Sequence, residues 1–158
     1  MSQLKKTLLL RYFGLLKIPM IFFVRPLVVD ITDSGSEIKI PLRRRTRNHL
    51  KSMYFAALTL GADLAAGLLA MEQIAKSGHR ISLVFKDVQA DFLKRVDGDA
   101  HFICQDGPRI RELISEVIKT GERQHEQVHV QVFSPKKYGD EVLAEISLTL
   151  SLKEKNDQ

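Results

Sequence analysis

A single cysteine, Cys104, stands in a chain of 158 residues, so no intramolecular disulfide can form, and such usage suits a reducing cytosol. Absent too are a phosphate-cradling P-loop, a dinucleotide-type glycine pattern, a Cys/His metal cluster and the interleaved aromatic and basic residues that read RNA. Nucleic-acid binding therefore rests on charge alone and is not expected. No internal repeat or low-complexity segment occurs, and no small-residue cleavage site follows the first apolar stretch. The expected setting is cytoplasmic.

What is present suits one compact domain with a core, since 44% of the residues are hydrophobic. The net charge is +5 and the pI about 9.4, and the excess is local, with Arg43, Arg44, Arg45 and Arg47 in close succession. A basic balance favours an anionic partner, whether nucleic acid, a phosphorylated cofactor or acidic lipid.

The stretch that organises the chain is 48–77. Between Met53 and Met71 it carries one charged side chain, Asp63, among apolar and small residues, and it lacks the β-branched clusters of a strand. This reads as a long helix buried on nearly all sides, with Ser52 as its N-cap and Gly78 as its stop. On the helical period Asp63 shares a face with Ala56, Thr59, Leu60, Ala66, Gly67 and Ala70, which leaves room beside the carboxylate for a ligand, a water or another backbone. Asp63 is either a functional acid, one that pairs with a base from elsewhere, or one on a partly wetted edge.

Ahead of this helix, residues 3–24 follow a mostly helical pattern that Pro19 kinks or divides. Leu27–Thr32 and Glu37–Leu42 read as a β-hairpin turned by Asp33–Ser36. After Gly78 come a strand at Ile81–Phe85 with an extended continuation from Val88 to Arg95, a strand at Ala100–Gln105, and an amphipathic helix at Arg109–Lys119. Strands at Gln127–Phe133 and Val142–Leu152 then precede a polar tail, 153–158, expected to fray. Consecutive strands without a helix after each one imply α+β: a curved, largely antiparallel sheet wrapped around one long central helix, with an N-terminal helix and one inserted helix. The expected division is an N-terminal helical segment at 1–26, the main domain at 27–152 and the tail. Sheet edges of this kind are satisfied by pairing with a second copy.

Two apolar stretches bear on membranes. Residues 7–29 are interrupted by Arg11, Lys17 and Arg25, and 53–71 by Asp63, all costly in mid-bilayer, so no transmembrane span is expected. Membrane association of the N-terminal segment stays open, with packing on the sheet preferred.

Three local patterns are set aside. His125-Glu126-Gln127-Val128-His129 fits the zinc-protease spacing, but Val128, Val130 and Val132 alternate as on a strand, where the two imidazoles would stand about 13 Å apart. Cys104 and His101 would face opposite sides of a strand, which makes Cys104 a structural residue. His49 is a loop histidine at the helix entrance.

The run Asn48-His49-Leu50-Lys51-Ser52-Met53-Tyr54-Phe55-Ala56-Ala57-Leu58, followed by Asp63-Leu64-Ala65-Ala66-Gly67, resembles the hotdog-fold thioesterase superfamily, and more narrowly an uncharacterised thioesterase-like branch of unknown function. At fold level the resemblance covers about 27–152, and at motif level 48–67. It implies an acyl-CoA or acyl-carrier-protein thioesterase acting as a homodimer or dimer of dimers. It further implies Asp63 as nucleophile or general base, Asn48 as the loop polar residue, and backbone N–H groups near Tyr54 and Phe55 as donors to the thioester carbonyl. Ser52 and Tyr54 would help to position the carbonyl or water, and Arg43, Arg44, Arg45, Arg47 and Lys51 would meet the phosphates of CoA, which enters as part of the substrate, with no separate cofactor. Many relatives carry a His where Tyr54 stands. That departure favours the alternative of a non-catalytic acyl- or lipid-binding hotdog protein.

One step is physical. Asp63 lies nine residues past Tyr54, so at about 1.5 Å per residue it is roughly 13 to 14 Å from the start of its own helix. A single acyl carbon cannot touch both, so an active site using both needs the helix of a second protomer.

Overall fold

In the computed structural model, which describes residues 2–155, the chain opens with α1 (Gln3–Lys17), capped by the Ser2 hydroxyl, and α2 (Pro19–Val24). Pro19 divides the helical stretch as expected: it cannot donate to the preceding turn but suits the first position of a new one. The strands β1 (Leu27–Ile31) and β2 (Ser36–Ile40) form the anticipated antiparallel hairpin. The long helix is α3 (Phe55–Ser77), closed by Gly78 in the left-handed region at φ 75°.

Beyond it run β3 (Ile81–Phe92), β4 (Ala100–Cys104), α4 (Gly107–Thr120), β5 (Gln124–Phe133), a single-turn helix α5 (Pro135–Tyr138) and β6 (Ala144–Glu154). The six strands form one sheet in the order β1-β2-β4-β5-β6-β3, antiparallel at every pairing. This is the hotdog fold: an α+β sheet curved around α3.

The small residues of α3 let the sheet close on it. Ala62, Ala65, Ala66 and Ala70 are fully buried, and the Phe102 ring of β4 occupies the space that a side chain at Gly61 would need. Ser36 Oγ donates to the Ala65 carbonyl at 2.7 Å, and Gln73 Nε2 donates to the carbonyls of Asp33 and Gly107, both at 3.1 Å, tying the helix to the β1–β2 turn and the start of α4. α4 covers β5 and β6 with Ile110, Leu113, Ile114 and Val117.

Some expectations need correction. Ser52 is not the N-cap: the helix starts three residues later, with Tyr54 at the cap position and no side-chain cap. The connection between the last two strands contains a single helical turn, α5. Lys153 and Glu154 are not frayed but pair with Ser82 and Ile81, because strand pairing runs through the main chain and is indifferent to their polarity. The remaining tail positions, 156–158, and Met1 lie outside the described residues.

β3 is one of the two edge strands: it pairs with β6 on one side and has no strand on the other, as β1 has none beyond β2. A bulge between Phe85 and Asp87 keeps Leu83, Phe85, Val88, Ala90 and Phe92 opposite the inward residues of β6, yet Val88 is 50% exposed and Phe92 48%. Leu83, Phe85 and Ala90 pack against the core, while the apolar concave face at Val88 and Phe92 is left uncovered.

Candidate functional site

The loop that enters α3 is built before the helix begins. Thr46, buried, donates from Oγ1 to the Pro41 carbonyl at 2.8 Å and accepts from the Arg43 N–H at 2.9 Å, while its carbonyl accepts from the Tyr54 N–H at 2.8 Å. Asn48 Oδ1 accepts from the N–H groups of Leu50 at 2.9 Å and Ser52 at 3.2 Å, and from Ser52 Oγ at 3.3 Å. The Asn48 N–H in turn donates to the Ser52 carbonyl at 2.8 Å. Residues 48–52 are thus a closed turn, with Lys51 in the left-handed region at φ 64°. The Asn48 side-chain carbonyl and the buried Ser52 hydroxyl are engaged with each other, which leaves the Asn48 amide NH2 as the group able to reach outward.

This turn forms one wall of a groove of about 580 Å³ that Asn48, Ser52, Tyr54, Phe55 and Leu58 share with Phe92 to Val96. The N–H groups of Phe55 and Ala56 open toward the helix entrance without an acceptor among the described residues, because the next two, of Ala57 and Leu58, already bond the Tyr54 carbonyl. The Tyr54 N–H is spent on Thr46, so of the two backbone positions expected to hold a carbonyl oxygen, the Phe55 N–H is open and the Tyr54 N–H is not. The Tyr54 side chain stays half exposed, edge-on to the Phe55 ring at a centroid distance of 4.9 Å.

Asp63 does not line this groove. It sits two turns further along α3, on the side facing the open strand: a Cβ placed on Gly67 would stand 3.6 Å from Asp63 Oδ1 and 3.6 Å from the Phe85 ring of β3. Among the described residues no side chain or backbone group forms a hydrogen bond or ion pair with Asp63, which removes the expectation of an acid paired within its own chain. Burial without a compensating partner pushes its pKa above the ordinary carboxyl value. Asn48, Ser52 and Tyr54 are therefore gathered at one end of α3, and Asp63 lies apart from them within the same chain.

The arginines are dispersed. Arg45 donates to the Phe23 carbonyl at 3.3 Å and lies over the Phe23 ring, and Arg43 approaches Asp99 at 4.0 Å. None of Arg43, Arg44, Arg45, Arg47 and Lys51 lines the groove, whose basic residues are His49, Lys94 and Arg95. Lys94 and Arg95 were missed in the sequence reading because they follow β3 directly and read as its continuation.

The set-aside motifs stay so. His125 and His129 lie on β5, His129 accompanies Asp106, His101 accompanies Glu37 at 2.6 Å, and no group of three metal-ligating side chains occurs among the described residues. Cys104 is buried, with its thiol pushed up to about 11.

The architecture defines a hotdog-fold domain. The chain belongs to the family described as Domain of unknown function (DUF4442), whose profile matches residues 6–152. It is similar in structure to a Pseudomonas aeruginosa protein of unknown function described as a probable thioesterase, with TM-score 0.78 and 23% identity over 94% of this chain and 96% of that one. A Chlorobaculum tepidum protein of unknown function superposes with TM-score 0.82 at 10% identity over 98% of both chains. A Haemophilus influenzae thioesterase does so with TM-score 0.66 at 12% identity, over 93% of this chain and 91% of that one. At these identities the likeness carries the fold. No curated protein sequence matches the chain.

Proposed function

We propose that this protein hydrolyses acyl thioesters of CoA or of acyl-carrier protein, as a homodimer whose active sites are shared between protomers. The observation that carries the reading is Asp63: a carboxylate without a partner among the described residues, held beside an edge strand whose apolar face is uncovered at Val88 and Phe92. A second copy adding its β3 to this edge would continue the sheet and bring its own α3 over Val88 and Phe92. An antiparallel pair of α3 helices sets the Asp63 of one protomer toward the entrance of the other.

In that arrangement the Phe55 and Ala56 N–H groups of one protomer hold the thioester carbonyl oxygen, where negative charge develops. Asp63 of the other takes a proton from a water, whose oxygen attacks the carbonyl carbon. The C–S bond then breaks and the thiolate leaves to be protonated. A carboxylate whose pKa is raised by burial is a better base than an ordinary one. The same group could instead attack directly and form an anhydride that water opens. The groove beside Asn48 takes the thioester arm, and Arg95 and His49 suit the negative charge of the carrier. The residues call for no metal or further cofactor, and a cytoplasmic setting suits the substrate.

Turnover of a panel of acyl-CoAs by wild type and Asp63→Asn tests this. Equal rates would reject the assignment. Tyr54 at the position where many relatives hold His favours a second reading, a non-catalytic acyl carrier or sensor on the same scaffold. Acyl species released on denaturing the purified protein, with none of the offered thioesters hydrolysed, would establish it instead.

A further inference from the structure

The first 29 residues contain five basic side chains, Lys5, Lys6, Arg11, Lys17 and Arg25, and no Asp or Glu. α1 buries Thr7, Leu10 and Gly14 against the rest of the fold, and Thr7 Oγ1 accepts from the Val28 N–H at 2.9 Å. At Gly14 the two N-terminal helices meet so closely that a Cβ would stand 2.7 Å from the Phe22 nitrogen and 3.0 Å from Ile21 Cβ. The pair is therefore a fixed unit against β1, and its opposite side faces outward.

That outward side is apolar. Leu4, Leu8, Tyr12, Leu15 and Leu16 are each between 53% and 70% exposed, and α2 continues the surface with Met20 at 59% and Phe23 at 54%. The acids that reach this unit do so from behind: Glu72 takes Lys6, and Asp30 accepts from Gln3. Arg45, stacked on Phe23, joins the arginine loop to the same rim, where Lys5, Lys17, Arg25 and Arg44 are exposed.

We infer that α1 and α2 dock the protein on a lipid surface bearing anionic headgroups, with the leucines and aromatics entering the headgroup–acyl boundary and the lysines and arginines meeting phosphate. Interfacial helices have this make-up: an apolar face bordered by basic residues, with acids absent. A second copy is the poorer occupant. In a two-fold contact between these faces one basic segment would meet another, with no acid in its first 29 residues to answer it. The edge strand with exposed apolar residues, β3, is also at the opposite end of the strand order from β1, against which α1 packs. This surface uses residues separate from those of the groove and Asp63, so it stands or falls independently of hydrolysis.

Sedimentation of the full-length protein with vesicles tests it, using phosphatidylcholine alone and an equimolar mixture with phosphatidylglycerol. Wild type should partition onto the mixed vesicles, less onto the neutral ones, and progressively less as salt is raised. Leu8→Glu with Leu15→Glu removes exposed apolar surface without emptying the core, and should lower partition about tenfold or more at unchanged circular dichroism. Lys17→Gln or Arg44→Gln should each lower it about fivefold on mixed vesicles and hardly at all on neutral ones. Absence of wild-type partition at low salt, or equal partition by the double glutamate variant, overturns the inference. So does a vesicle-free assembly that the double variant breaks apart, since a second copy would then cover the face.

Discussion

The carboxylate of Asp63 and the ring of Phe85 border one niche, each 3.6 Å from where a Cβ on Gly67 would be, with no cation or donor among the described residues to answer the charge. A lone acid against an aromatic ring on an open strand is held at a cost in stability, and its consequences can be separated by measurement.

Asp63→Asn removes the charge and keeps the shape. If Asp63 is the base, kcat should fall about a hundred- to ten-thousand-fold. Stability should move the other way. The folded protein binds the Asp63 proton more tightly than the unfolded chain does, so the stabilisation from protonation is complete below the unfolded value of about 3.8 and is lost as pH rises through the raised folded value. At neutral pH wild type carries the cost of a buried charge. The variant should therefore melt higher than wild type near pH 7, with an advantage that shrinks as the buffer approaches pH 4. Thermal melts of both proteins across that range check the sign.

Asn48 is more than a polar residue at a helix entrance. Replacing it with Ala leaves the Leu50 and Ser52 N–H groups and the Ser52 hydroxyl without their acceptor, and should cost about 1–3 kcal/mol in urea unfolding. Ser52→Ala removes one donor and should cost about 1 kcal/mol. If the turn positions substrate, Asn48→Ala should also raise KM or lower kcat beyond the change seen for Ser52→Ala.

The elements were legible where pattern alone decides them. Pro19 divides α1 from α2, valine alternation places His125 and His129 on a strand, and the apolar run that includes Asp63 is the central helix. The start of α3 was not legible. A serine before an apolar run has the features of a cap, but Ser52 is claimed by Asn48 four residues earlier, and the helix begins only after that turn has closed. The direction of the arginines was not legible either: a cluster in sequence says nothing of where each side chain turns, and Arg45 turns to Phe23 of the N-terminal helices. Thr46 gave no signal beyond its spacing from Arg43, although its hydrogen bonds to Pro41, Arg43 and Tyr54 fix the loop.

Gly61 reads in sequence as one more small residue on an apolar helix. In the fold it is where the Phe102 ring crosses α3, so a methyl there overlaps ring atoms from the buried side of the sheet. Gly61→Ala gains helix propensity worth about 1 kcal/mol but must displace a fully buried aromatic, which costs about 1–3 kcal/mol or more. The net should be a lower urea midpoint. Gly78→Ala, at a φ of 75° with open space around it, should destabilise through backbone strain alone, leaving the near-ultraviolet environment of the aromatics unchanged.

The shared-site reading depends on β3, and Val88 tests it most directly. This residue points inward on an edge strand, opposite Leu148, and is nevertheless half exposed. In a lone protomer Val88→Glu should matter little, because the new carboxylate stays in water, where surface substitutions usually fall within about 0.5 kcal/mol. In a dimer closed over β3 the same change puts a charge into each half of a symmetric apolar contact, a penalty of several kcal/mol counted twice. Sedimentation equilibrium should then show wild type as a dimer and Val88→Glu as a folded monomer, with thioester turnover lost along with the dimer. A monomeric wild type that turns over substrate would detach the chemistry from the second copy. A dimer indifferent to Val88→Glu would place the interface away from β3, and with it the surface that Asp63 faces.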